Sequence, residues 1–593
     1  MSVFSDRGAA FLAEYFALHP IRATEIGEHR HDDRWPDLTD AGRLERIAFY
    51  DGWADELGGL PASVLDPDER IDRDLLLLEL DAHRFGEAEL REDAWDPLSW
   101  VYLLGDGLFG LLARGFAPLD VRLASLAGRL EGLPAVVDAA IATVGSLPDR
   151  PVSRLHTETA LEQLGGIVEL AEDGRREAGA SDDPPVAALR PRLGAAVVVA
   201  TAAIGRLETH LRDVVLPAAT GDGLLGPERF AAKLRRTVMD PALDPATVLG
   251  AAEREATAVR TEMVRLARAL WPTWMSSEPL PVAGPGTSQA EADQRTVRAV
   301  LDAIAAEHRR PEELLDACRA ELARIEAFCR EHDVVGLPEA PLEIRWTPVF
   351  LRAFGGAMLI PPGPLDRDEK SFFAITPIPD DWSPERVESW LREENDRQLR
   401  VLTIHEAVPG HYLQLAYANR AASLLRSIFW SGVYAEGWAV YVTQVMMDLG
   451  YGAEDPALLL VHWKFYLRAA INAIIDVRIQ TLGMTTEEAV ARMVEGGFQE
   501  EAEARNKDKR ARLSSTQLST YFVGSLGFWA IEAERRRRLA VAAGASRDAV
   551  GVRDLPGGLG ETPGFRYREH LETVLAHGAP PMPILHRILF GDA

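Results

Sequence analysis

The chain has 593 residues and is acidic: 64 Lys and Arg against 91 Asp and Glu give a net charge of −27. Nucleic acids and anionic membrane surfaces repel such a protein, so we expect neither as a partner. Hydrophobic residues make up 47% and charged residues 26% of the chain, values typical of a globular protein with a packed core. The length permits several domains, but continuous helical proteins of this size also exist.

The first 335 residues carry apolar side chains at helical spacing and few strand signals. Pro245 and Pro311 suit the first turn of a helix, where the missing N–H costs nothing. We therefore predict an N-terminal helical half over 1–335. Its predicted helices span 67–85, 119–144, 152–177, 245–270, 290–307 and 311–331.

The N-terminal segment and the two cysteines indicate a location. Residues 1–20 contain Asp6, Arg7 and Glu14, and they lack the apolar run and small-residue cleavage site of a signal peptide. Cys318 and Cys329 lie eleven residues apart in one predicted helix, where a disulfide cannot close without breaking the helix. Together these features predict a cytoplasmic protein.

Short β-favouring runs at 342–346, 357–360 and 372–376 predict a small sheet, because glycine and proline turns separate them. Helical spacing returns from Pro384 onward. We predict a C-terminal half over 336–593 that forms one continuous structural domain with the first half. Its predicted helices span 401–422, 424–449, 456–482, 486–495, 514–543 and 564–577.

The segment 405–411 begins like a zinc-peptidase helix, with His405 followed by Glu406, but the second histidine comes six residues later, not four. In an ideal helix six residues rotate a side chain by about 600° and raise it by about 9 Å, so both imidazoles cannot reach one metal ion. Pro409 breaks the helical hydrogen bond to the His405 carbonyl and its ring clashes there. The Pro409-Gly410 pair therefore predicts a bend that brings His411 back.

Glu436 is the predicted third ligand, 25 residues after His411 in an otherwise apolar and aromatic segment. An unpaired carboxylate is costly to bury there, and a cation would remove that cost. Two histidines and one glutamate leave the fourth zinc position open to water, as in catalytic sites. Glu406 is then the predicted base, which takes the proton of the attacking water and later delivers it to the leaving group.

These motifs resemble a bacterial family known as domain of unknown function 885, through residues 405–414 and the run Glu436-Gly437-Trp438-Ala439. The resemblance extends through most of the chain, including 23–27, 225–230 and 476–483. It implies a mostly α-helical, metallopeptidase-like hydrolase whose cleft runs between two helical halves. The fold that it implies is similar to those of helical carboxypeptidases and oligopeptidases.

The chain departs from this family near the last catalytic helix, where the family usually carries Pro-Gly-Gln-Ala-Leu-x-Tyr-Lys. Gln517 and Tyr521 remain, and because they are four residues apart they share a helix face. Tyr521 is the predicted donor to the tetrahedral oxyanion. The effect of the departures on specificity is open; they lie at Ser515, Thr516 and Phe522, at Gln480 in place of His, and at Met484 in place of Trp.

Several of these residues have alternative interpretations. Glu436 pairs with Arg468 or Arg478 if no metal is bound. Asp476 either orients a ligand histidine or forms a salt bridge with an arginine. Arg478 either binds a substrate carboxylate or has a packing or ion-pair role. Tyr521 is either the oxyanion donor or a core tyrosine.

The sequence as a whole predicts a zinc-dependent hydrolase that cleaves an amide bond of a peptide or peptide-like small molecule. Another divalent metal in place of zinc, hydrolysis of a non-peptide amide or ester, and an inactive helical binding protein are the alternatives. The substrate, the position of cleavage, the native metal and the oligomeric state stay open. The predicted site comprises His405, His411 and Glu436 on the metal, Glu406 and Tyr521 in catalysis, and Asp476, Arg478 and Gln517 beside them.

Overall fold

A computed structural model describes residues 2–354, 356–547, 550, 555 and 562–591. The described chain is mainly helical, as predicted. Helices α1 to α15 are Val3–Leu18, Pro20–Ile26, Asp40–Gly58, Pro67–Phe85, Glu92–Trp95, Pro97–Ala113, Leu119–Thr143, Arg154–Gln163, Gly165–Ala180, Pro184–His210, Leu216–Ala218, Gly226–Val238, Pro245–Trp274, Gln289–Ala305 and Leu314–Glu331.

The C-terminal half begins with a sheet and continues in helices. Strands β1 to β3 are Leu342–Trp346, Ala357–Ile360 and Ser371–Ile375. Helices α16 to α26 are Pro384–Glu393, Asp396–Glu406, His411–Ala418, Leu424–Ile428, Gly432–Asp448, Pro456–Leu482, Thr486–Ala491, Glu501–Leu513, Gln517–Ala542, Tyr567–Leu575 and Met582–Phe590. Single 3₁₀ or π turns occur at His29–His31, Ala62–Val64, Gly86–Leu90, Leu211–Val215, Pro311–Glu313, Val349–Phe354 and Arg492–Gly496.

The helix boundaries follow the capping chemistry of the sequence. Helix α4 begins at Pro67 because Asp66 and Glu69 form a capping box, in which each side chain accepts the other residue's backbone N–H. Helix α21 ends at Leu482, because the next residue, Gly483, has a φ of 69°, the left-handed conformation that glycine adopts easily. The predicted helix at 152–177 is instead two helices, since α8 ends at Gln163 and α9 begins at Gly165.

The predicted small sheet is present, with the order β1-β3-β2. Strand β3 lies in the middle, parallel to β1 with Leu342 opposite Ser371 and antiparallel to β2 with Ala357 opposite Ile375. All five residues of β3 are buried, whereas those of β2 are half-buried. The sheet therefore packs as part of the core beside the helix that leads into the His405 segment.

The two predicted halves share one hydrophobic core. A single cluster of buried side chains contains Phe85 and Val259 from the first half and Trp438, Ile474 and Leu585 from the second. Within the described part of the chain, two helical stretches are long and apolar enough to cross a membrane by length and composition alone, Pro184–Ala218 and Pro456–Leu482. In the second, 89% of the most apolar window is buried inside the protein, against 33% in the first.

Helices α20 and α24 approach each other at backbone distance through two glycines. A Cβ atom on Gly437 would lie 2.2 Å from the carbonyl carbon of Gly524, and one on Gly524 would lie 2.0 Å from the Val433 carbonyl oxygen. Real Cβ atoms do not come so close to backbone atoms, so no larger side chain fits at either position. This contact holds Glu436, next to Gly437, against the first turns of α24.

We expect the Gly437→Ala variant to lose about 1–3 kcal/mol of unfolding free energy, because the added methyl group must push two helix backbones apart. Gly432→Ala on the same helix is the matched control, since a Cβ atom there meets nothing within 4 Å. Chemical denaturation of both variants measures the difference. Equal stability of Gly437→Ala and Gly432→Ala would contradict the close packing of α20 and α24.

Candidate metal centre

The helix of the His405 motif breaks where the sequence predicts a bend. Helix α17 ends at Glu406 and α18 begins at His411, with a cis peptide bond between Val408 and Pro409. The Gly410 N–H donates a hydrogen bond of 3.1 Å to the Ile404 carbonyl, so the chain folds back onto the end of α17. A Cβ atom on Gly410 would lie 1.9 Å from the His405 carbonyl oxygen, so only glycine fits this return.

Helix α20 is tied to the same loop and brings Glu436 to the two histidines. The Trp438 indole donates a hydrogen bond of 2.8 Å to the Pro409 carbonyl oxygen. A ring nitrogen of His405, a ring nitrogen of His411 and a carboxylate oxygen of Glu436 all lie within 4.8 Å of one another. The Glu436 Oε2 atom is 3.8 Å from His405 Nε2 and 3.3 Å from His411 Nε2. The three predicted ligands therefore converge.

Burial and charge favour the protonation states that a divalent metal needs at His405 and Glu436, but not at His411. Burial and the neighbouring His411 lower the pKa of His405 to about 3, so this imidazole is neutral. Burial raises the pKa of Glu436, but the two histidines lower it by more. Glu436 is therefore an ionised carboxylate. Burial lowers the pKa of His411, but the Glu436 carboxylate raises it by more, so the net shift is upward. A cation between these groups would release the His411 proton.

The donor set fits zinc. Two imidazole nitrogens and one carboxylate oxygen are the protein ligands of many catalytic zinc sites, where the fourth position is left for water or substrate. Glu436 Oε2 is buried and accepts no hydrogen bond within the described residues, so it is free to bind a cation. The other oxygen, Oε1, accepts a hydrogen bond of 3.2 Å from the Gln517 amide, which fixes the orientation of the carboxylate.

Glu406 lies next to the ligands in a state suited to proton transfer. Its Oε2 atom is buried without a hydrogen-bond partner within the described residues, and it lines the same small pocket as His405. Burial raises the pKa of Glu406 to about 7, with the neighbouring Glu436 adding to the rise and His411 opposing it. A carboxylate with a pKa near neutrality both takes and returns a proton readily.

Gln517 and Tyr521, predicted to share a face of α24, lie side by side: Tyr521 lines this pocket, and Gln517 joins Tyr521 to Glu436 by hydrogen bonds. The Gln517 amide donates to the Tyr521 hydroxyl over 3.3 Å, and the Arg510 guanidinium donates to the same hydroxyl over 2.9 Å. The Tyr521 ring stacks beside His405, with 6.4 Å between the ring centroids. Burial raises the pKa of Tyr521 to about 12, so the phenol keeps its proton at neutral pH.

Asp476 does not contact a ligand histidine, and neither of its predicted roles is observed. Its carboxylate accepts hydrogen bonds from the backbone N–H groups of Thr516 and Ser519, each over 3.1 Å, and from the Ser519 hydroxyl over 2.6 Å. These are the unpaired donors at the start of α24, where a carboxylate is favourable. Asp476 therefore fixes the first turn of the helix that carries Gln517 and Tyr521.

The arginines proposed as alternative partners of Glu436 are occupied elsewhere. Arg468 pairs with the buried Glu393, and Arg478 pairs with Glu253 of α13. Arg478 does not line the pocket beside His405, and its ion pair is the alternative role that the sequence left open for it.

The departures from the family pattern also lie outside the metal cluster. The Gln480 amide oxygen accepts a hydrogen bond of 2.9 Å from the Leu225 N–H, and Phe522 is a buried core side chain. The Ser515 hydroxyl accepts a hydrogen bond from Lys233, and the Thr516 hydroxyl lies 2.8 Å from that of Thr237. Gln480, Ser515, Thr516 and Phe522 thus join helices to one another.

The sequence predictions missed one face of α23, formed by Glu503, Lys507 and Arg510. These side chains line the pocket of about 80 Å³ beside His405 and also a neighbouring cavity of about 470 Å³. Burial, with Arg510 and Arg468 nearby, lowers the pKa of Lys507 to about 8. Their spacing of four and three residues was the available signal, but the strongly charged α23 is typical of a solvent-exposed helix.

The fold and the site define a mainly helical protein with a buried cluster of two histidines and one glutamate. A model of the family described as "Bacterial protein of unknown function (DUF885)" matches residues 20–589, so the chain belongs to this family and the resemblance noted in the sequence is confirmed. A comparison with curated proteins gives no match.

Two solved structures have the same fold. A "putative lipoprotein of unknown function from Shewanella oneidensis" has a TM-score of 0.77 and 27% identity, over 99% of this chain and 100% of that one. The "putative lipoprotein from Colwellia psychrerythraea" has a TM-score of 0.73 and 17% identity, over 99% of this chain and 98% of that one. The second likeness shows the fold alone.

The predicted cytoplasmic location is wrong, because both similar structures are described as lipoproteins. The cysteines gave no guide to the compartment: Cys318 and Cys329 are free thiols buried in α15. Burial raises the pKa of each thiol to about 12, so neither readily forms the thiolate from which a disulfide is made.

The cluster predicts that the purified chain retains about one divalent ion after incubation with Zn²⁺ and dialysis, as tetrahedral sites of this kind do. We expect His411→Ala to retain less than about a tenth of that metal, because one of three protein ligands is lost. His332→Ala, at an exposed histidine after α15, is the control and should bind metal like the wild type. Elemental analysis gives the ratio, and equal metal content in the two variants would refute the site.

Proposed function

We propose that the protein is a zinc-dependent hydrolase that cleaves an amide bond of a peptide or peptide-like small molecule. The convergence of His405, His411 and Glu436 within 4.8 Å, beside the buried Glu406, is the observation that carries the proposal. Another divalent metal that accepts nitrogen and oxygen ligands would suit the same side chains.

The ligand set provides the metal chemistry. His405, His411 and Glu436 would hold Zn²⁺, which when bound polarises a carbonyl group and makes water more acidic. Glu406 takes a proton from the water that attacks the carbonyl carbon. It then returns this proton to the nitrogen of the breaking C–N bond, so that one water is consumed and a carboxylic acid and an amine are formed. A pKa of about 7 suits Glu406 to both transfers.

Tyr521 is the proposed donor to the oxyanion. A phenolic oxygen has one O–H donor and two lone pairs. Arg510 and Gln517 both donate to the Tyr521 oxygen and so occupy its lone pairs. The phenolic hydrogen is left to point into the pocket, where it can donate to an oxygen that becomes negative during the reaction.

The surroundings of the pocket support a peptide-like substrate. The larger cavity that shares Glu503, Lys507 and Arg510 with it has walls of proline and tryptophan side chains, including Pro379, Trp382 and Trp390. A cavity lined by both charged and aromatic side chains suits a small molecule with polar and apolar parts.

Hydrolysis of a non-peptide amide or ester, and an inactive helical binding protein, are the alternatives. Turnover of esters or non-peptide amides alone, in a substrate panel that includes peptides, would support the first. No turnover of any member by the metal-loaded wild type would support the second.

Glu406→Gln removes the proposed base but keeps the size of the side chain. We expect it to retain metal at the wild-type ratio and to lower kcat by about 10²–10⁴-fold, the usual contribution of a general base. The measurement combines elemental analysis with rates on the panel substrate that the wild type cleaves. Wild-type activity in this variant would remove Glu406 from its proposed role.

Tyr521→Phe removes the proposed oxyanion donor. We expect kcat to fall by about 10²–10³-fold with a small change in KM, since the hydrogen bond forms mainly in the transition state. Tyr417→Phe is the control, because the Tyr417 hydroxyl donates to the Gly336 carbonyl away from the pocket. A larger effect on KM than on kcat would show that Tyr521 binds the ground state of the substrate.

A further inference from the structure

A large cleft lies between α13, α14, α21 and α22, on a different face of α21 from the pocket beside His405. Its volume is about 1060 Å³, close to the upper end of the range for small-molecule sites, which is roughly 300–1,000 Å³. Among the residues that the structure describes, none lines both this cleft and the pocket beside His405. Helix α21 faces the cleft with Ile471 and Arg478, and faces the metal pocket with Phe465, Arg468 and Asn472.

Three arginines meet in this cleft although the whole chain carries a net charge of −27. Arg260 comes from α13, Arg478 from α21, and Arg492 from the turn after α22. Burial and the charge of Arg478 lower the pKa of Arg492, with Glu253 opposing. Burial and the charges of Arg492 and Arg298 likewise lower the pKa of Arg260. Both arginines therefore lie within range of other positive charges.

Arg492 is the member of this group that lacks a partner. Within the described residues its guanidinium makes no hydrogen bond or ion pair, and its Nε atom is buried. The Nε atom of Arg478 is also buried without a partner, although its other end pairs with Glu253. Arg260 is held in place by the carbonyl oxygens of Glu495 and Gly496. A half-buried guanidinium without an anion is costly, so the arrangement favours a bound anion.

The acidic side chains that line the cleft do not fill this role. Asp293 pairs with Arg268 over 2.7 Å. The Glu488 carboxylate accepts the Thr485 N–H in the capping box of α22. Glu495 is exposed to solvent.

The rest of the wall is apolar and suits the body of a small molecule. Apolar lining residues include Val264, Ile471, Met484, Phe498 and Leu482, the last of which is 66% exposed. An apolar side chain this exposed at the edge of a cleft gains free energy when a ligand covers it. The cleft thus combines arginine side chains that can bind an anion with an apolar surface.

We propose that this cleft binds a small organic anion, with a carboxylate or phosphate held by Arg492 and Arg478 and an apolar portion against Leu482 and Met484. Guanidinium groups bind both anions through paired N–H donors. The site is separate from the metal centre and does not depend on hydrolytic activity.

Calorimetric titration of the full chain with hexanoate and with hexyl phosphate tests this site and distinguishes the two anions. We expect saturable binding of at least one probe at one site per chain, unchanged by EDTA. Arg492→Met should weaken that binding at least tenfold, because the unpaired guanidinium is the main anchor. Arg265→Met is the matched control on α13: Arg265 is exposed, pairs with Glu262, and its loss should change the affinity less than twofold.

Thermal unfolding of Arg492→Met without a probe gives an independent result. Because the wild-type guanidinium has no partner to lose, the variant should melt at or above the wild-type temperature. The proposal would be overturned if neither probe bound saturably, if Arg492→Met and Arg265→Met weakened binding equally, or if Arg492→Met melted below the wild type.

Discussion

The return of the backbone at Gly410 is the constraint on which the candidate site depends. Without a side chain at this position, the chain folds back to within hydrogen-bond distance of the Ile404 carbonyl, and α18 starts with His411 beside His405. In a continuous helix the two imidazoles would point about 120° apart. The six-residue spacing does not suit a continuous zinc-peptidase helix. Because the helix breaks, a ring nitrogen of His405 and one of His411 nevertheless lie close together.

Two further contacts position the side chains around His405 and His411, and both involve backbone atoms. The Gly437–Gly524 approach sets α20 against α24, and the carboxylate of Asp476 holds the N–H groups at the start of α24. Glu436 thereby meets Gln517, and Tyr521 lies beside His405. The charges at the centre are buried at a cost that a bound cation would offset. The geometry thus keeps the three candidate ligands, Glu406 and the Tyr521 phenol close together.

Much of this was predictable from local sequence signals. The three strands and helices such as α4 follow from turns, caps and periodicity. The convergence of His405, His411 and Glu436 was predicted from the histidine motif and an isolated acid in an apolar segment. The role of Asp476 was not predictable, because its partners are backbone groups 40 and 43 residues away. Arg510 was missed because a highly charged helix is typical of a solvent-exposed surface, whereas α23 turns one charged face inward.

Metal binding at His405, His411 and Glu436 is tested most directly by a crystal structure of the chain grown with Zn²⁺, with diffraction recorded on both sides of the zinc absorption edge. We expect one strong anomalous peak at bonding distance, about 2.0–2.2 Å, from a nitrogen of His405, a nitrogen of His411 and an oxygen of Glu436. The absence of a peak among these three side chains, or a zinc ion bound only elsewhere, would contradict it.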